Sequence, residues 1–443
     1  MYIGEDAVKL YAKQYSYLYK PEKMPVDVFT DYVNRASLPG VFESTVSGRL
    51  GDIFRKSPLI EGPDDLLEWC EQVTANSQDI TMIASKLLRE LMITGRCALV
   101  LDFNDKLQRH QIHLYKAEDI LHWNDELGNE SIRLRETSYN TNHVMAETEE
   151  RFLDMRMEEG RFVVERHELL DGKWATEELA PTRAGGQLDF FPVVVVNSDE
   201  IGFDVNDPPM LNLANLLLSF FRNSADYEQG LHAIGVPTPV ITGMRPEDAK
   251  NFSLGPYTPI VMEQPDSKAY YLEFAGAGIN HLKEAMEEKL IQSVMMGARL
   301  LQPRRQVESA EAAKTRMGAE TSLLNNLTRV AELAIEVIFE NWLKWQNRSV
   351  EETEFKFELN KDYIEESFNP DALRVINEME LAGVMSPQSA FKLRKRFEVY
   401  DDTLTFEEEQ ELIEVNEPED AKLEPAPMPQ LQPQPPTEET AAA

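Results

Sequence analysis

Apolar positions recur at helical spacing at the start of the chain and lose that period after residue 96. Residues 26–57, VDVFTDYVNRASLPGVFESTVSGRLGDIFRKS, read as a helix, a break at Leu38-Pro39-Gly40 and a second helix. Phe42, Val46, Leu50, Ile53 and Phe54 form its buried stripe, and Pro58 stops it. Asp64 and Asp65 open a helix carrying Leu66, Leu67, Trp69 and Val73, and another runs from about Asp79 to Met92 on Ile83, Leu87, Leu88 and Leu91. From Cys97 to about Asn197 strand-like runs follow, among them CALVLDF, QIHLYKA, RFVVERHEL and FFPVVVVN, parted by polar or Gly-containing turns. The expectation is an α+β fold: helices first, then a mostly antiparallel sheet.

Beyond Pro208-Pro209 the helical period returns, through MLNLANLLLSFFRNSADYEQGLHAIG to Gly235. Short Pro-punctuated strands are expected within 236–274. A second helix begins near Gly278, Pro303 interrupts it, and the longest helix is predicted over Ala310 to Trp345. A strand (EFKFEL), a helical pair around PDALRVINEMELAGVMSPQSAFKLRKRF and an acidic segment from Phe406 to Glu414 complete the pattern. From Asn416 onward the chain is Pro, Gln, Glu and Ala, with seven of its 25 prolines, and is expected to be disordered.

The 443 residues, 42% of them apolar, suffice for two or three domains with real cores. No apolar run approaches a membrane span, and the first twenty residues lack the apolar stretch of a secretory signal, so no membrane is expected. Two cysteines, Cys70 and Cys97, make no disulfide framework and fit a reducing compartment, with a single bridge left open. With 78 acidic against 44 basic residues the net charge is −34, which argues against a surface that grips nucleic acid. It still allows a surface that nucleic acid slides past.

Catalytic patterns are missing. There is no Gly-x4-Gly-Lys-Ser/Thr phosphate loop and no Gly-x-Ser-x-Gly, and AGAGIN (275–280) has Gly276 and Gly278 without a third glycine in register, so it reads as a turn. His110 and His113 read as surface histidines rather than a metal pair, and His167-Glu168 lacks the second histidine of a zincin helix. The expectation is no catalytic residue, no metal, no cofactor and no enzyme. One stretch stands out: GARLLQPRRQVESAEAAKTRMGAE (297–320) gathers Arg299, Arg304, Arg305, Lys314 and Arg316 at a break between two helices. It reads either as a solvated connector or as a basic contact site. Glu284, Glu287 and Glu288 read as a solvated helix face.

The order of segments, with DPPMLNLANLLLSFFRNSADYEQGLHAIGVPTPVITG (207–243), YYLEFAGAGINHLKEAMEEKLIQSVMMGARLL (270–301) and SLPGVFESTVSGRLGDIFRKSP (37–58), resembles the portal proteins of tailed bacteriophages, in their short-chain form, over nearly the whole length. The resemblance implies a wing over 1–206, stem helices at 207–235 and 277–299, a clip at 236–276 and a tunnel loop at 300–311. A long wing helix and strand would occupy 312–364, a crown-like helical region 365–415, and a tail 416–443. It implies a homo-oligomeric ring of about twelve copies at a capsid vertex of the virion. Double-stranded DNA would pass along its axis, and terminase, adaptor or head-completion proteins, and capsid and scaffolding proteins would be its partners. Arg304, Arg305 and Gln306 would touch DNA, with Arg299 and Lys314 as further basic residues of the channel. Glu284, Glu287 and Glu288 would be its acidic face, and Phe252, Tyr257, Tyr270 and Tyr271 the docking residues of the clip. Two alternatives stay open: another structural head or adaptor protein without a channel, and a hydrolase whose site the sequence does not display.

Overall fold

In the computed structural model, the described residues are 1–124, 130–140, 147–170, 173–179, 181–183, 186–235, 238–243, 266, 268–272, 277–297, 310–361, 363, 370–396, 399–400 and 404–416. The chain divides into two compact units, Met1–Tyr363 and Ile364–Ala443.

The first unit opens with five helices and a short strand: α1 (Glu5–Gln14), α2 (Val26–Arg35), α3 (Val41–Ile53), β1 (Leu59–Glu61), α4 (Asp64–Cys70) and α5 (Ile80–Thr94). Asp79 caps α5, its carboxylate accepting the Met82 amide at 2.8 Å. Gly95 ends it at φ 74°, in the left-handed region. A Cβ there would lie 3.1 Å from the Pro208 backbone and 3.2 Å from the Asn206 carbonyl oxygen. Gly95 therefore lets the Pro208-Pro209 turn sit directly against the end of α5.

Two antiparallel sheets follow, where one was expected. β2 (Arg96–Asn104) and β3 (Arg109–Lys116) form a hairpin, and after a 3₁₀ turn at Ala117–Asp119 come β4 (Ile120–Trp123), β5 (Ser131–Asn140), β6 (Glu147–Glu158), β7 (Arg161–Leu170) and β8 (Lys173–Leu179). The short pair β9 (Thr182–Arg183) and β10 (Gly186–Gln187) precedes β11 (Val193–Asn197). One sheet has the order β11-β2-β3 and the other is the meander β4-β5-β6-β7-β8. The meander alternates over most of its length: Ile132, Leu134, Leu153, Met155, Phe162 and Val164 face the core, while Arg133, Asp154, Arg156 and Glu165 face out, with Val163 buried as well on β7.

Next come α6 (Leu211–Gly235), β12 (Thr238–Thr242), β13 (Lys268–Leu272), α7 (Ala277–Gly297), α8 (Ala310–Trp345) and β14 (Lys356–Glu358), which pairs antiparallel with β1. From Leu324 on, α8 buries a stripe through Leu327, Val330, Ala331, Ala334, Ile335, Ile338, Phe339 and Trp342. It fills the central core together with α3, α4, α5, β2 and β11. A smaller cluster joins α1 and α2 to the middle of α6 through Val8, Phe29, Val33, Phe221 and Ala225. Cys70 and Cys97 are free and buried in the central core. Burial pushes the Cys70 thiol up to about 12 and the Cys97 thiol higher still, so neither offers a thiolate.

The second unit contains α9 (Pro370–Leu381), α10 (Pro387–Arg396) and α11 (Phe406–Asn416). Thr405 and Glu408 cap α11 reciprocally, each accepting the other's amide, at 3.3 and 2.8 Å. The tail expected to be disordered lies outside the described residues from 417 onward.

Candidate functional site

The helix pair α6 and α7 is built differently from the rest of the first unit. The first half of α6 is embedded, with Leu213 and Leu217 in the central core and Phe221 and Ala225 in the smaller one. α2 clamps its middle: Tyr32 donates to the Asp226 carboxylate at 2.6 Å and Arg35 to Gln229 Oε1 at 2.8 Å. Past Ala225 no residue of α6 is buried, and the apolar stripe runs on exposed through Leu231 and Ile234. In α7 the one buried side chain among the described residues is Ser293, whose hydroxyl donates to the Leu290 carbonyl.

The two helices run antiparallel in close contact. A Cβ on Gly230 would lie 3.0 Å from Ile279 Cδ1, and further along the pair Lys289 Nζ donates to the Ser219 carbonyl at 3.4 Å. Between the helices in sequence, β12 and β13 pair antiparallel from Thr238↔Leu272 to Thr242↔Lys268. A two-stranded ribbon has little stability of its own.

The open face of α7 is divided along its length. Glu284, Glu287, Glu288, Ile291 and Met295 share one side by helical spacing, and all are exposed. The carboxylates occupy the half nearer the ribbon and the apolar side chains the half away from it. The acidic half meets exposed side chains: the His281 imidazole stands 3.5 Å from Glu284, Lys283 3.8 Å from Glu287, and Gln292 donates to Glu288 at 3.4 Å. Such pairs contribute little to folding.

Of the residues singled out from sequence, the three glutamates lie on this face, and Tyr270 is exposed on β13. Tyr271 pairs with Pro239 in the ribbon, and Lys314 falls in the first turns of α8. Phe252, Tyr257, Arg299, Arg304, Arg305 and Gln306 lie outside the described residues.

One expectation is corrected. His110 is not a surface histidine: it is 9% exposed, packed between Phe103 and Trp345, and burial lowers its pKa to about 4. On β3 a separation of three places His113 on the opposite face, so the two histidines cannot share a metal. A different triple comes together on the outer face of the meander, where ligand atoms of Asp154, Glu165 and His167 lie within 4.8 Å of one another. Arg133 grips Asp154 at 2.5 and 2.6 Å, and Arg156 reaches Glu165 at 2.8 Å. These guanidiniums hold both carboxylates below the usual range, Asp154 against the opposing effect of its burial. With cations already seated on its carboxylates, this is a cross-strand charge ladder and does not need a metal to balance it.

Residues 209–346 match a domain of unknown function (DUF4055). The match spans α6 through α8, the same helix pair and the long helix after it. No curated protein matches the chain. Among solved structures, the neck of an empty GTA particle is similar with a TM-score of 0.40 at 13% identity, over 87% of this chain and 96% of that one. The virion of a native gene transfer agent (GTA) particle is similar with a TM-score of 0.38 at 13% identity, over 92% and 98%. An HK97-family phage portal protein from Corynebacterium diphtheriae is similar with a TM-score of 0.33 at 11% identity, over 73% and 92%.

No helix among the described residues is long and apolar enough to cross a membrane.

Proposed function

We propose that this chain is a non-enzymatic portal subunit that closes into a ring at a capsid vertex, with double-stranded DNA passing along the axis. The observation that carries this reading is the helix pair. α6 beyond Ala225 packs on the start of α7, and α7 runs on along the first half of α6 and touches α3, yet the two bury almost nothing while α6 keeps Leu231 and Ile234 on its apolar stripe. Helices of this length without a core of their own need partners from outside the chain. Copies of the same pair, side by side in a closed ring, supply them through a heterologous contact. The sequence stretches that resemble portals cover this same pair.

In that ring the open face of α7 turns to the channel. Its acidic half repels phosphate, its apolar half offers no ion pair, and a wall of this kind does not hold DNA by counterion release. The break between α7 and α8 carries Arg304 and Arg305, and copies from all subunits form a narrow basic girdle that touches DNA in transit, aided by Gln306, Arg299 and Lys314. Residues 236–276 form the outward ribbon on which terminase and then adaptor proteins dock, with Phe252, Tyr257, Tyr270 and Tyr271 as contacts.

Negative-stain class averages of the purified chain test the reading: rings with an axial hole, of about twelve copies, are the expected result. A chain that remains monomeric over the whole accessible concentration range overturns it. The girdle has its own test. Arg304→Glu with Arg305→Glu leaves rings intact and impairs DNA packaging, whereas normal packaging by that variant returns the stretch to a solvated connector.

A further inference from the structure

Tyrosine rings stand in a row on the surface where α1 ends. The backbone of this stretch is fixed: Val8, Ala12 and Leu18 are buried with residues of α2 and α6, and Arg222 of α6 donates to the Tyr17 carbonyl at 3.0 Å. The side chains between these anchors nevertheless face solvent. Tyr11 is 44% exposed, Tyr15 58% and Tyr19 81%. Tyr11 and Tyr15 have ring centroids 5.7 Å apart, and Tyr15 and Tyr17 stack at 6.1 Å with 26° between their planes. Exposed rings held in register on an anchored backbone make a contact surface.

The row is also locally basic. Residues 9–23 hold Lys9, Lys13, Lys20 and Lys23 against Glu22 alone, in a chain of net charge −34. Lys9 is occupied by Glu5 and the Asn34 carbonyl, whereas Lys13, Lys20 and Lys23 are exposed. Such a surface fits an anionic occupant that offers flat apolar groups, and this chain carries one. Residues 417–443 hold six acidic residues against Lys422 alone, with seven prolines, three of them at the alternate positions Pro425, Pro427 and Pro429.

Proline-rich segments dock on aromatic surfaces as polyproline II, a conformation they favour before binding. It rises about 3.1 Å per residue with three residues per turn, so alternate residues stand about 6 Å apart along its axis. That step matches the spacing of the tyrosine rings. Two of the three edges of such a helix meet a surface together, so Pro425 and Pro427 can both reach the row. A nucleic-acid strand is also anionic and also stacks on tyrosine, but it brings a long run of charge to a chain of −34, whereas the tail brings a few carboxylates to three lysines. We propose that the tyrosine row receives the proline-rich tail of a neighbouring copy, with prolines on Tyr11 and Tyr15 and carboxylates at Lys13, Lys20 and Lys23. The placement on a neighbour rests on the proposed ring, which holds copies side by side at high effective concentration. The chemistry of the row does not.

The test uses the full-length chain. Thr437→Cys takes a maleimide dye on the tail, because Cys70 and Cys97 are buried and offer no thiolate. Free peptide of residues 417–443 is expected to displace the labelled tail and lower its anisotropy saturably below about 1 mM, with a peptide whose seven prolines are alanine at least tenfold weaker. Tyr11→Ser with Tyr15→Ser, both at exposed positions, should start at the displaced value. No displacement, equal displacement by the alanine peptide, unchanged anisotropy in the tyrosine variant, or stronger displacement by a short single-stranded DNA overturns the proposal. A second arm oxidises Tyr19→Cys with Thr437→Cys, and chain-to-chain links on a non-reducing gel are expected. A link closed within one chain overturns the neighbour as the source of the tail. Rings by light scattering without any link overturn the docking and leave the ring standing, whereas a monomer that still releases its tail to the peptide overturns the ring and the neighbour together.

Discussion

α5 and α7 are both apolar-rich helices of the first unit, with opposite fates. α5 buries Ile80, Ile83, Ala84, Leu87, Leu88, Leu91 and Met92, enclosed by α3, α8 and β2. α7, longer by six residues (21 against 15), buries Ser293 alone among its described side chains and leaves Ile291 and Met295 open. α5 is the more apolar of the two, and it is also the one whose packing is complete. The packing of α5 is finished by its own chain, and that of α7 is left for something else to finish.

The sharpest way to break this contrast is by truncation. Leu88→Ala should cost the isolated subunit about 2–5 kcal/mol, because it opens a cavity in a filled core. Ile291→Ala should cost less than about 0.5 kcal/mol. Urea unfolding of both variants compares them directly, and equal losses would show that α7 is already packed within its own chain.

A pH titration probes the enclosed side further. His110 titrates near 4 when folded and near 6.5 when unfolded, so its neutral form is the one the fold accepts. Its contribution is intact above about pH 6.5 and declines as the pH falls toward 4, by at most about 3 kcal/mol. His110→Gln should flatten that part of the stability profile; an unchanged slope would place the imidazole in contact with water.

Asp79→Ala tests how α5 begins. Losing the acceptor for the Met82 amide should cost about 1 kcal/mol in thermal or urea unfolding. The smallest effect on folding is expected from Leu231→Asp with Ile234→Asp, within about 0.5 kcal/mol of the parent subunit. Sizing by light scattering should nonetheless show loss of rings. Intact rings in that variant would remove α6 beyond Ala225 from the subunit contact.

Much of this organisation was legible in the residues. Pro303 and the apolar period from Leu323 placed the long helix at Ala310–Trp345, where the structure has it. Strand-like runs marked β2, β3, β7 and β11, but not β4 or β8, and the division into two sheets was not foreseen. Legibility ended where contacts join distant segments. His110 looked like a surface residue beside His113, although strand alternation already set the two on opposite faces. Trp342 and Trp345 offered a spacing of three on one helix, but nothing in that spacing named Trp69 as the ring stacked on Trp342.

By itself the sequence determined what local physics controls: the periods of helix and strand, the Asp79 cap, the breaks at proline and glycine, and the acidic balance. Only the tertiary structure decided which apolar stripes were covered. Periodicity reports that a helix has an apolar face, whereas burial depends on whether another element of the chain arrives to meet it. α8 arrives at α5, while nothing among the described residues arrives at the open face of α7, and the residues along either helix do not name the element that comes to meet it.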